Sequence, residues 1–85
     1  MPAKVFVVEK KADKSLSKLP LHVQSRIVHI FDIIKANPII GAKLHGELSQ
    51  FYKVRVGDYR IIYRFDSSIS TVIVVKIEHR QGVYK

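Results

Sequence analysis

The sequence predicts an α+β fold, with an N-terminal strand and a helical hairpin packed on a four-stranded antiparallel sheet. Three observations predict it. Apolar residues recur at helical spacing between Pro20 and Asn37. Two alternating runs, Phe51 to Val56 and Tyr59 to Phe65, flank the turn signal Gly57-Asp58. A further run from Ile69 to His79 is long and apolar at its centre. The 85 residues are expected to form one domain spanning 1–85. At this size folding buries roughly 60% of the unfolded chain's surface, enough for one thin core.

In chain order, Val5-Phe6-Val7-Val8 is a short β-branched and aromatic run and reads as a strand. Lys10 to Lys18 reads as a short first helix carrying Leu16. Leu19-Pro20 interrupts it, because proline has no N–H to donate and suits the first turn of a new helix. In that second helix Val23, Ile27, Ile30, Phe31 and Ile34 form one apolar stripe. Asn37-Pro38 ends it, since a residue before proline is pushed out of the helical region. Ile39 to Ser49, with Gly41 and Gly46, reads as a connecting loop. The hairpin strands follow, then the turn Asp66-Ser67-Ser68, then the last strand, which is apolar at both parities in Val72-Ile73-Val74-Val75.

Composition removes several function classes. Without cysteine there are no disulfides and no thiolate metal sites. His22, His29, His45 and His79 lack a zinc-like spacing with carboxylates, so no metal is expected. The start shows no apolar h-region, and nowhere does an apolar stretch approach ~20 residues. A cytoplasmic protein with no membrane partner is the resulting expectation. Fifteen Lys and Arg stand against seven Asp and Glu, a net charge of +8. Such an excess favours a polyanion: nucleic acid, an acidic protein or an anionic surface.

Strand parity locates that charge, because successive side chains point to opposite faces. Tyr52, Val54 and Val56 form one set, and Lys53 and Arg55 the other. Tyr59, Ile61, Tyr63 and Phe65 likewise separate from Arg60, Ile62 and Arg64. In the last strand Ile73, Val75 and Ile77 alternate with Lys76, Glu78 and Arg80. With the apolar sets on the helices, Lys53, Arg55, Arg60, Arg64, Lys76 and Arg80 share the outer face with a single acid, Glu78. Like charges on neighbouring strands repel, so such a cluster costs stability unless a polyanion offsets it. The bland alternative is a solvated outer face. Tyr84, near the end, would either stack on a base or pack against the last strand. His79 falls on the parity opposite to Arg80, which predicts a buried or edge position.

The residues carry no Ser-His-Asp arrangement, no glycine-rich phosphate cradle and no paired-carboxylate signature. A cation cluster can, however, stabilise charge developing on a phosphate in flight. RNA brings its own nucleophile, the 2′-hydroxyl. Arginine suits the bracing role because it is permanently charged and bidentate to phosphate oxygens. A lysine among cations gives up its proton more readily, and Lys53 lies beside Arg55 and Arg60 in this pattern. Composition and periodicity lead to RNA or phosphate binding and permit this chemistry without requiring it.

Lys43-Leu44-His45-Gly46, the run from Phe51 through Gly57-Asp58-Tyr59-Arg60 to Tyr63, then Ile77-Glu78-His79-Arg80 and Val83-Tyr84 resemble the RelE/ParE toxin superfamily over nearly the whole chain. Within it the sequence is more similar to RelE-type toxins. The resemblance implies the toxin of a type II toxin–antitoxin system, a ribosome-dependent mRNA endonuclease that cuts in the ribosomal A site without metal or cofactor. It implies mRNA and the ribosome as partners, a RelB-like antitoxin as inhibitor, and operator DNA only through the antitoxin complex. The family's motif falls on Lys53, Arg55, Arg60, Arg80 and Tyr84 as catalytic residues. Lys53 would be the base, and Arg55 and Arg60 the phosphate clamps. Arg80 would stabilise the leaving side, and Tyr84 would orient the scissile nucleotide. Arg64 and Lys76, on the same face, would add RNA contacts. The family's second lysine is Arg55 here, which keeps a clamp role and removes an acid–base one. Two alternatives stand beside this: a ParE-like inhibitor of DNA gyrase, and a non-catalytic RNA- or antitoxin-binding relative.

Overall fold

The computed structural model describes residues 2–79. It runs β1 (Val5–Val8), α1 (Lys10–Ser17), α2 (Leu21–Ala36), β2 (Ala42–Lys43), a 3-10 turn (Gly46–Leu48), β3 (Phe51–Val56), β4 (Tyr59–Asp66) and β5 (Thr71–His79). The strands form one sheet in the order β1-β5-β4-β3-β2. The α+β class and the helical hairpin match the sequence expectation; the sheet differs from it in two respects. It has five strands, not four, and β1 pairs with β5 in parallel, so the sheet is mixed.

The fifth strand arises in the segment read as a loop. Within it Ala42 and Lys43 pair with β3, opposite Lys53 and Tyr52. Gly41 permits this approach, because a Cβ there would lie 2.9 Å from the Lys53 carbonyl oxygen. The chain is pinned at the same place by Tyr63, whose hydroxyl donates to the Pro38 carbonyl at 2.8 Å and accepts from the Gly41 N–H at 3.1 Å. Burial pushes the Tyr63 phenol above its ordinary value of 10.0, the first cause of its shift.

Both helices lie on one face of the sheet. α2 buries Ile27, Phe31 and Ile34 and α1 buries Ala12 and Leu16, against Val56, Ile61, Tyr63, Val72, Val74 and Ile77. Phe6 reaches the same core from β1 and meets Phe31 at a ring separation of 5.1 Å. Pro20 precedes α2 and Asn37 ends it, as the two X–Pro signals predict. Each large apolar side chain buried here contributes roughly 1.5–3 kcal/mol relative to exposure.

Strand β5 contains a one-residue bulge that parity alone does not reveal. Ile62 pairs with Lys76 and the next residue, Tyr63, with Val74, so Val75 has no partner on β4. The phase of β5 therefore switches at Val75. Val72, Val74 and Ile77 face the helices, whereas Ile73, Lys76 and Glu78 turn to the other side. The expected grouping of Ile73, Val75 and Ile77 is corrected accordingly. Lys76 nevertheless keeps the face assigned to it, because the switch falls before it.

Candidate functional site

The face turned away from the helices is built from cross-strand rows. Phe51, Arg64 and Ile73 make one row; Lys53, Ile62 and Lys76 the next; Arg55, Arg60 and Glu78 the third. Of the seven predicted site residues, Lys53, Arg55, Arg60, Arg64 and Lys76 are placed on these three rows. Arg80 and Tyr84 lie outside the described residues. Two-residue spacing along each strand sets neighbouring rows roughly 6–7 Å apart.

The rows enclose a concavity of about 380 Å³, lined by Leu44, Phe51, Lys53, Arg60, Ile62, Val75, Lys76 and Glu78. Leu44, Phe51, Ile62 and Val75 give it an apolar floor, and Lys53, Arg60 and Lys76 bring charge to it. Phe51 shares the parity of Lys53, so its place on this face was available in the sequence. Leu44 reaches the site because its N–H donates to the Phe51 carbonyl at 2.9 Å, which extends the pairing that β2 begins. Val75 contributes through the bulge, for which the apolar run carries no signal.

Glu78 changes the electrostatics expected of this face. Its Oε1 accepts from Arg60 Nη2 at 2.8 Å, and its Oε2 lies 3.3 Å from Lys76 Nζ. The Arg60 and Glu78 side chains are 24% and 26% exposed, so solvent screens the pair only partly. Arg60 Nε is buried without a hydrogen-bond partner among the described residues. Lys53 is exposed and makes no ion pair among the described residues.

Arg55 stands opposite Arg60 in register but lines a different hollow. Its Nε donates to the Gly57 carbonyl at 3.1 Å across the hairpin turn. With Arg26, His29 and Gly57 it borders a groove of about 370 Å³ beside α2. Gly57 adopts φ 60°, the left-handed conformation that the tight turn requires. His79, expected buried or at an edge, is exposed at the end of β5 and meets Tyr59 edge-on at 4.8 Å.

Chemically, the arrangement offers a lysine amine, a guanidinium and a second amine around an apolar-floored hollow. Such a hollow suits a flat base below and a phosphodiester at the rim. Among the described residues no three His, Asp or Glu side chains gather as a metal-holding group, and no helix is long and apolar enough to cross a membrane.

Comparison with known proteins places this geometry. Residues 6–84 match the family model described as the ParE toxin of type II toxin–antitoxin system, parDE. Toxin RelG of Mycobacterium tuberculosis is 32% identical over 76 residues, covering 87% of each chain. The toxin–antitoxin complex RelBE2 of Mycobacterium tuberculosis contains a chain with a TM-score of 0.83 and 29% identity, over 94% of this chain and 93% of that one. A chain of the archaeal RelE–RelB complex from Pyrococcus horikoshii aligns with a TM-score of 0.76 and 26% identity, over 94% and 97%.

Proposed function

The chain belongs to the RelE/ParE family of type II toxin–antitoxin toxins, and on that premise we propose that it is a ribosome-dependent mRNA endonuclease of the RelE type. The observation that carries the proposal is the grouping of Lys53, Arg60 and Lys76 around one apolar-floored concavity on the open sheet face. An exposed nucleotide fits such a hollow, with its phosphate at the cationic rim.

In the proposed reaction Lys53 removes the 2′-hydroxyl proton and the 2′-oxygen attacks the adjacent phosphorus. The bond to the 5′-oxygen breaks, leaving a 2′,3′-cyclic phosphate on one fragment and a 5′-hydroxyl on the other once that oxygen is protonated. Arg60 braces the charge that builds on the non-bridging oxygens, and Arg55 holds the phosphate on the hairpin side. Arg64 and Lys76 contact flanking backbone. By the family resemblance, Arg80 acts on the leaving side and Tyr84 orients the base. Messenger RNA and the ribosome are the proposed partners, at the site of translation in the cytoplasm. A RelB-like antitoxin is the proposed inhibitor, and operator DNA is reached through that complex.

Primer extension on a message in a purified translation system tests this. New ends within codons at the ribosomal A site, absent on naked RNA, are expected. The family model's ParE description favours one rival, inhibition of DNA gyrase. Loss of supercoiling by purified gyrase, with no new RNA ends, would replace the nuclease reading.

A further inference from the structure

We propose that Glu78 is an internal counter-anion that holds the place of a substrate phosphate between Arg60 and Lys76, and that RNA binding exchanges one for the other. The inference rests on the RNA-binding reading of this face and adds a residue to it whose part is to compete with RNA.

The placement follows from strand geometry. Arg60 and Glu78 are direct partners across β4 and β5, and Lys76 is two residues before Glu78 on the same face. The carboxylate thus sits between two cations, and each of its oxygens meets one of them, at 2.8 and 3.3 Å. A phosphodiester presents the same pattern: one negative charge on two non-bridging oxygens, available to two cations at once. All three side chains line the concavity, so a phosphate entering it meets the group already occupying its partners.

Two features make the exchange feasible. The pair is about a quarter exposed and Lys76 is 64% exposed, so water and salt can take up the released carboxylate. Among the described residues Arg60 also uses only part of its donor set, because Glu78 engages Nη2 while Nε is buried without a partner there. A ligand that rotates the guanidinium therefore has an unused donor to gain. Among the described residues Glu78 is the one carboxylate lining this concavity, and its removal uncovers one further positive charge.

The test compares wild-type protein with Glu78→Gln, which keeps the shape and removes the charge. Binding of a 2′-O-methylated RNA hexanucleotide, which cannot be cut, is followed by fluorescence anisotropy across salt concentrations. The variant is expected to bind about five- to tenfold more tightly at low salt, and its log affinity to fall more steeply with log salt by roughly 0.7. The difference should shrink as salt rises, and Arg60→Ala should remove it. Equal or weaker binding with an unchanged salt slope would overturn the proposal and make Glu78 a simple support for Arg60. Should Glu78→Gln fold poorly, the Glu78 carboxyl resonance of the wild-type protein supplies the answer. A shift toward the free carboxylate on adding the hexanucleotide supports exchange, and an unmoved resonance at saturation refutes it. Neither readout uses the ribosome. Tighter RNA binding by Glu78→Gln in a protein that cuts no message supports the exchange while removing the nuclease reading.

Discussion

The Tyr63 hydroxyl donates a 2.8 Å hydrogen bond to the carbonyl of Pro38, tying the middle of β4 to the chain just beyond the Asn37 cap of α2. The same oxygen accepts from the Gly41 N–H, so one side chain fixes both ends of the short segment that leads into β2. Tyr63 is fully buried and stacks on Tyr52 at 5.3 Å. The bond therefore links the core to the outer edge of the site.

Tyr63→Phe should lower stability by about 1–3 kcal/mol, because it leaves a buried carbonyl and an amide N–H without their partner. Urea denaturation measures this directly. The phenol also predicts a pH effect. An unfolded tyrosine ionises near 10, while burial holds the folded one protonated to higher pH. Stability should thus fall as pH rises above about 10, since the unfolded state releases its proton first. The Phe variant should lose that part of the alkaline decline.

Gly41→Ala should disturb the site without replacing a charged residue. The added Cβ would sit 2.9 Å from the Lys53 carbonyl and 3.0 Å from the Tyr63 hydroxyl. Crowding of this kind costs on the order of 1–3 kcal/mol. Loss of amide protection in Ala42 and Lys43, with cleavage reduced through Lys53, is the expected result in hydrogen exchange and activity assays.

Arg60→Ala should lower the cleavage rate by about 10²–10³-fold, the usual cost of removing a donor to developing charge. Its fold should persist, because Glu78 keeps Lys76 as an ionic partner at 3.3 Å when Arg60 is removed. Arg80→Ala should lose cleavage similarly on the strength of the family motif. Circular dichroism beside primer extension checks both, and full activity in both variants would remove the site assignment.

Lys53→Arg and Arg55→Lys separate base from clamp. Lys53→Arg keeps the charge and loses the exchangeable proton, so the rate should drop by about 10²–10⁴-fold with RNA binding retained. Arg55→Lys should change the rate without changing the shape of its pH profile. A profile altered by Arg55→Lys and untouched by Lys53→Arg would reverse the two roles.

Much of this was legible in the sequence, for definite physical reasons. Ile27, Phe31 and Ile34 repeat over enough turns to identify α2. Gly57-Asp58 lies between alternating runs long enough to set the hairpin. Parity then put Lys53, Arg60 and Lys76 on one face, where they are found. The strand β2 was not legible, because two residues carry no period and their place depends on the missing side chain of Gly41. Nor was the bond from Glu78 to Arg60. Sharing a face follows from parity, but standing opposite requires the cross-strand register.

The unpaired Val75 also bears on how this chain should be aligned with others. Removing it would restore plain alternation, with Val72, Val74 and Ile77 inward and Ile73, Lys76 and Glu78 outward. A homologue one residue shorter here would keep the same groups on the same faces with a flatter strand. The correct gap between two such sequences thus falls inside β5, not in the turn before it, where gap placement by secondary structure would put it. Shifting the gap to the turn would misassign Thr71 through Val74 by one position and exchange inward for outward residues in the oldest comparison one would make, that of core with core.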